Sequence, residues 1–69
     1  ARAGPVRLVV YGVDGRRVRT LLDEVRRAGS YTLVWDGRDQ QGREMASGMY
    51  LLRMVADGVR ESRKLTLIR

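Results

Sequence analysis

Residues 6–22 read Val6-Arg7-Leu8-Val9-Val10-Tyr11-Gly12-Val13-Asp14-Gly15-Arg16-Arg17-Val18-Arg19-Thr20-Leu21-Leu22. Val6, Leu8 and Val10 alternate with Arg7, Val9 and Tyr11, the period of two that a strand with one buried face requires. Pro5 is tolerated at the start of such a strand. Asp14 and Gly15 then reverse the chain into residues 16–22. A two-residue loop at Asp14-Gly15 would set Val10 opposite Arg19. A three-residue loop from Val13, with Gly15 left-handed in a bulge, sets Val10 opposite Val18, Leu8 opposite Thr20 and Val6 opposite Leu22. The second register keeps one face largely apolar and is the one expected.

The returning arm has a competing reading. Val18, Leu21, Leu22 and Val25 fall at i, i+3, i+4 and i+7, and Gly29 stands where a helix C-terminus would want it. Against a helix over residues 16–28, no capping residue precedes Arg17 except Asp14, which the turn already uses. Periodicity alone leaves both readings open.

Further along, Tyr31, Leu33 and Trp35 alternate with Thr32 and Val34 in a β-branched and aromatic run, which predicts a strand. Residues 36–43, polar and broken by Gly37 and Gly42, predict a loop. In residues 49–56, Tyr50, Leu52 and Met54 take one side and Met49, Leu51, Arg53 and Val55 the other, both largely apolar. Such a strand is central in a two-layer fold or has a face covered by a partner. A two-residue turn at Asp57-Gly58 would place Tyr50 opposite Leu65 in a last strand over residues 59–68. Short strands between frequent turns indicate an antiparallel sandwich or small barrel.

Composition narrows the functions. A chain of 69 residues is one domain with a thin core. It has neither Cys nor His, so disulfides and the usual zinc ligand sets cannot staple that core, and thiol nucleophiles and imidazole bases are excluded. The eight acids lie mostly in Gly-rich turns or beside arginines. Residues 36–44 offer three of them to a hard cation, but Arg38 and Gln41 stand where a calcium loop of the EF-hand type needs an oxygen ligand and a glycine. No catalytic residue, metal or cofactor is therefore expected.

The net charge is +6, and of fourteen basic residues only Lys64 is lysine. Arginines meant for phosphate should gather on one face with aromatics between them; in the linear sequence they are scattered from Arg2 to Arg69. A GC-rich coding bias, which the absence of Asn and Phe also fits, accounts for them equally well. The sequence has no signal peptide and no apolar stretch of transmembrane length. Beginning at Ala1, it reads as an excised piece of a longer protein.

An ordered set of short segments carries a resemblance. The run from Val6 to Leu21 is followed by Ala28-Gly29, Trp35-Asp36-Gly37-Arg38-Asp39, Gly42, Ala46-Ser47-Gly48-Met49-Tyr50 and Lys64-Leu65. This set resembles the immunoglobulin-like domain of flagellar hook-capping proteins and, more closely, the C-terminal sorting domain of type IX secretion cargo. The resemblance implies an all-β fold, a small antiparallel immunoglobulin-like β-sandwich lacking its first strand, at the C-terminus of a larger secreted or cell-surface protein. It also makes residues 16–22 a strand followed by a loop through Ala28-Gly29. Two departures stand out. The family's Pro-Asn-Pro box and leading strand are missing before Val6, and Gly12 replaces the usual Asp or Asn of a side-chain-capped turn.

From the resemblance follow the expected role and partners: a non-catalytic recognition module read by outer-membrane secretion and sortase proteins, attached to an upstream domain of the same chain. Gly48, Met49 and Tyr50, with Lys64, Leu65 and Leu67, are the candidate recognition residues. Each also has a structural explanation, with Gly48 easing the chain into a strand, Tyr50 a core residue with its hydroxyl at the rim, and residues 64–68 a closing strand. Trp35 is expected in the core rather than as a stacking platform, and Gly15, Gly29, Gly37 and Gly58 are expected to serve turns. Two alternatives remain: a structural interaction domain of a surface filament or cap, and a small basic β-barrel that binds RNA or DNA through its arginines; no specific nucleic acid is expected as a partner of the recognition module.

Overall fold

The computed structural model describes residues 3–27, 34–56 and 58–68. Four antiparallel strands, β1 (Ala3–Gly12), β2 (Arg17–Arg27), β3 (Gly48–Ala56) and β4 (Val59–Leu67), form one open sheet in the order β2-β1-β3-β4. Among the described residues there is no helix. The domain is all-β, as its alternating patterns require.

The first turn follows its residues closely. Gly12 N–H donates to the Arg16 carbonyl at 2.8 Å and Gly15 N–H to the Gly12 carbonyl at 3.0 Å, closing a three-residue loop with Gly15 at φ +85°. Only glycine holds that left-handed bulge position without strain. The Arg16 N–H is capped by Asp14 Oδ1 at 3.0 Å. A Cβ at position 12 would lie 3.0 Å from that same oxygen, so Gly12 leaves room for Asp14 to cap the turn in place of a side chain at position 12.

Beyond the turn the expected register fails. Tyr11 opposes Arg17 as the three-residue loop dictates, but Val10 then opposes Arg19, Leu8 opposes Leu22 and Val6 opposes Glu24. The pairing skips Val18 and Leu21, one bulge at each. These bulges also settle the helix question. In a regular strand Val18 and Leu21, three apart, would face opposite sides; the bulges let both reach the same core, where Val18 is buried and Leu21 packs against it. The helix-like spacing is thus the mark of a twice-bulged strand.

Strand β2 also runs to Arg27 rather than stopping at Leu22, because β1 begins at Ala3 and pairs with it from Ala3↔Arg27 onward. Pro5 opposes Val25 there, and the β1–β3 ladder starts only at Val6↔Ala56, so the proline's missing N–H interrupts no β3 pairing. The β3–β4 hairpin has the expected register, with Ala56 opposite Val59, Gly58 at φ +78° and Tyr50 opposite Leu65.

Val34 and Trp35 lie outside the strands, so the strand expected over residues 31–35 is not formed at its described end; the remainder, like Gly29, falls outside the described residues. What covers the sheet instead is the segment of residues 34–47. Its tip repeats the first turn: Asp39 N–H donates to the Arg43 carbonyl (2.9 Å) and Gly42 N–H to the Asp39 carbonyl (3.0 Å), with Gly42 at φ +86°. Below the tip, Arg38 bridges to Glu44 and Met45 N–H donates to the carbonyl of Gly37, whose φ is +76°. The segment lays Trp35 and Met45 against a core of Val10, Val18 and Tyr50, joined by Leu21, Leu52, Leu65 and Leu67.

Candidate functional site

Antiparallel pairing sorts the side chains of β1, β3 and β4 onto two faces. Val10 opposes Leu52, Gly12 opposes Tyr50, and Tyr50 opposes Leu65, so these residues and Leu67, opposite Gly48, line the face that residues 34–47 cover. The other face carries Arg7, Val9 and Tyr11 of β1, Met49, Leu51, Arg53 and Val55 of β3, and Arg60, Ser62, Lys64 and Thr66 of β4.

The candidate recognition residues are accordingly brought together on one hairpin and then divided. Tyr50 is buried, and Leu65 and Leu67 are half-buried in the core. The Tyr50 hydroxyl donates to the Ala46 carbonyl, and its ring meets Trp35 edge to face. Gly48 has φ +152°, a conformation open to glycine and strained for other residues. Its backbone geometry is enough to account for its presence. Met49, 51% exposed, and Lys64 offer side chains to a partner, and Gly48 exposes its backbone.

The open face is more ordered than the linear sequence suggests. Arg7, Val9, Tyr11, Arg53, Val55 and Arg60 line a groove of about 300 Å³. Val9 forms its floor at 3% exposure, while Arg7, Arg53 and Arg60 are exposed. Arginines 46 and 53 positions apart along the chain, Arg7 to Arg53 and Arg7 to Arg60, thus converge because β1 and β3 are neighbours and β4 folds back on β3. Sequence reasoning missed this cluster; the alternation of Arg7 with Val9 and Arg53 with Val55 was its only trace.

Other arginines have structural work. Arg19 pairs with Asp36 at 2.9 Å, Arg26 with Glu24 at 2.8 Å and Arg43 with Asp39 at 2.9 Å. In the covering loop, Asp39 Oδ1 accepts from the backbone N–H groups of Gln41 and Arg43, and Asp36 Oδ1 accepts from Arg38 N–H. Partial desolvation pushes the Asp36 pKa up, but the Arg38 N–H and the charges of Arg19 and Arg38 outweigh it and hold the carboxyl below its ordinary value. For Asp39 the bond from the Arg43 backbone N–H dominates; desolvation opposes it, and the Arg43 guanidinium and Gln41 N–H help to keep the pKa low. Both carboxylates are thereby committed to the loop.

Gln40, unremarkable in sequence, fastens that loop to the sheet edge: its N–H donates to the Val18 carbonyl (3.0 Å), and its Oε1 accepts from Thr20 N–H (2.9 Å). Strand β2 is thus covered at its bulges. At the opposite edge, β4 presents Arg60, Glu61, Arg63 and Lys64, all exposed.

Among the described residues no group of carboxylates could hold a metal ion, and no helix is long and apolar enough to cross a membrane. Comparison with curated proteins gives no match, and neither does comparison with solved structures. The model of the FlgD Ig-like domain, a non-catalytic immunoglobulin-like domain, matches residues 1–59, which take in β1, β2, the covering loop and β3; the chain belongs to that family.

Proposed function

We propose that this chain is a structural interaction module of an exported, extracellular assembly, a surface filament or cap, holding a larger protein in place through its sheet. The observation that carries this reading is the division of the sheet, with one face closed by its own loop and the other left open with Met49 and Leu51 exposed beside cationic side chains, in a domain of the FlgD Ig-like family. A central strand apolar on both sides, as β3 is, suits contact with a second protein. An upstream domain of the same chain is the nearest candidate partner. The test is replacement of this module in its carrier by an unrelated immunoglobulin-like domain of similar size. Loss of extracellular assembly with normal carrier folding is the expected result; normal assembly after the exchange contradicts the reading.

A second reading, in which the module directs a carrier through type IX secretion, draws support from Met49 and Lys64 sharing the open face of one hairpin. Its partners would be outer-membrane secretion and sortase proteins. Fused to a periplasmic reporter in a type IX host, the module should carry the reporter outside, and removal of residues 64–69 should stop it. Efficient export without those residues refutes the sorting role.

A further inference from the structure

We infer that the open face of the sheet is a docking surface for an acidic, amphipathic segment of a partner protein, an inference that rests on the interaction-module reading above. Across β1, β3 and β4 the face is built in rows: Tyr11, Leu51 and Lys64; Val9, Arg53 and Ser62; Arg7, Val55 and Arg60. Arg53 sits at the centre. Diagonal neighbours on an antiparallel sheet stand about 7–8 Å apart, so Arg7, Arg60 and Lys64 all lie within a screening length of Arg53, where like charges still repel.

None of these four cations is ion-paired with another described residue, in contrast to Arg19, Arg26, Arg43 and Arg63. Asp23, which opposes Arg7 on β2, is the nearest acid by register and forms no ion pair with it. Glu24 and Glu61 oppose Val6 and Met54 and therefore belong to the covered side. Across β1, β3 and β4 the face thus carries cations and no acid, with Asp23 alone at its β2 margin against four unpaired cations, and charge complementarity calls for carboxylates on whatever covers it.

The apolar members say what kind of molecule bears those carboxylates. Leu51 is exposed between Arg53 and Lys64, Met49 is exposed in the next row opposite Thr66, and Val55 and Tyr11 are half-buried. An occupant that alternates acidic with aliphatic residues matches both components. A second copy of this chain does not fit, since it would bring the same cations to the contact. Nucleic acid fits poorly, because Tyr11 is the one aromatic residue on this face among the described residues, while Trp35 and Tyr50 lie on the covered side.

The experiment is a titration of the ¹⁵N-labelled chain, in low salt, with a blocked peptide alternating glutamate and leucine. The same peptide with lysine for glutamate, and a single-stranded oligothymidylate, serve as competing probes. Shifts are expected at Val9, Leu51, Arg53 and Val55, with Arg53→Glu and Lys64→Glu each weakening binding by about tenfold or more at unchanged far-ultraviolet circular dichroism. The inference falls if no shifts occur, if they map to the covered face, if either variant binds as the parent does, or if the lysine peptide or the oligonucleotide binds more tightly. Should it fall while exchange of the whole module still abolishes assembly, the interaction-module reading stands and the docking face lies elsewhere.

Discussion

The rings of Trp35 and Tyr50 meet edge to face, with centroids 5.0 Å apart and planes at 68°. One belongs to the loop that crosses the sheet and the other to central strand β3, so this contact fastens the covering segment to the sheet. The Trp35 Nε1–H donates to the Arg38 carbonyl at 2.9 Å and the Tyr50 hydroxyl to the Ala46 carbonyl. Each ring is thereby tied at its polar end to the same loop whose apolar part it buries.

Loss of this pair should unfold the domain. Trp35→Ala is expected to cost about 3 kcal/mol or more, since a chain without cysteine has no disulfide to compensate for so large a gap in a thin core. Tyr50→Phe keeps the ring contact and removes one hydrogen bond, which should cost about 1 kcal/mol. Urea unfolding followed by circular dichroism checks both; equal stability of parent and Trp35→Ala would place the indole outside the core.

The two loop tips built alike should respond alike. Gly15→Ala and Gly42→Ala put a side chain at φ +85° and +86° with no atom within 4 Å of the new Cβ, so strain is the only penalty, about 1–2 kcal/mol each. Gly48→Ala, at φ +152°, should cost about 1–3 kcal/mol. Thermal unfolding of the three variants measures this, and unchanged midpoints would show that the tips relax to other turns.

Acid should loosen the covering loop. Asp36 and Asp39 have pKa values held below the ordinary carboxylate value, so the stability they contribute is present above the unfolded Asp pKa of about 3.9 and is lost as pH falls through their lower folded values. Unfolding midpoints measured from neutral pH down to about pH 2 should decline below that point. In Asp39→Asn the decline should be shallower, because Asn can still accept the Gln41 and Arg43 N–H bonds but does not titrate. An identical profile in parent and variant would remove Asp39 from the account.

Much of this fold was legible because the relevant signals are local. Asp14-Gly15 specified its loop through the left-handed position of Gly15, and the Ala56↔Val59 turn set the Tyr50↔Leu65 pair. The β1–β2 register was not legible beyond Tyr11↔Arg17, since a bulge depends on which side chains the core accepts, here Val18 and Leu21, rather than on local propensity. The polar loop over residues 36–43 was legible, whereas the alternation through Val34 and Trp35 pointed to a strand that does not form there; the role of residues 34–47 as the cover of one face rests on long-range contacts, Gln40 to β2 and Trp35 to Tyr50. The basic groove was hidden for the same reason, because Arg7, Arg53 and Arg60 become neighbours only through strand order.

The central claim is that the module acts by surface contact through the open face of its sheet. It is tested most directly by measuring the fraction of carrier protein assembled outside the cell for the parent, for a carrier lacking residues 1–69, and for a Met49→Glu/Leu51→Glu variant. Both substituted residues are exposed, so the variant should keep its fold, checked by circular dichroism. Assembly is expected to be lost in the deletion and in the folded double variant alike. Undiminished assembly of the carrier without the module, or with the folded double variant, would contradict it.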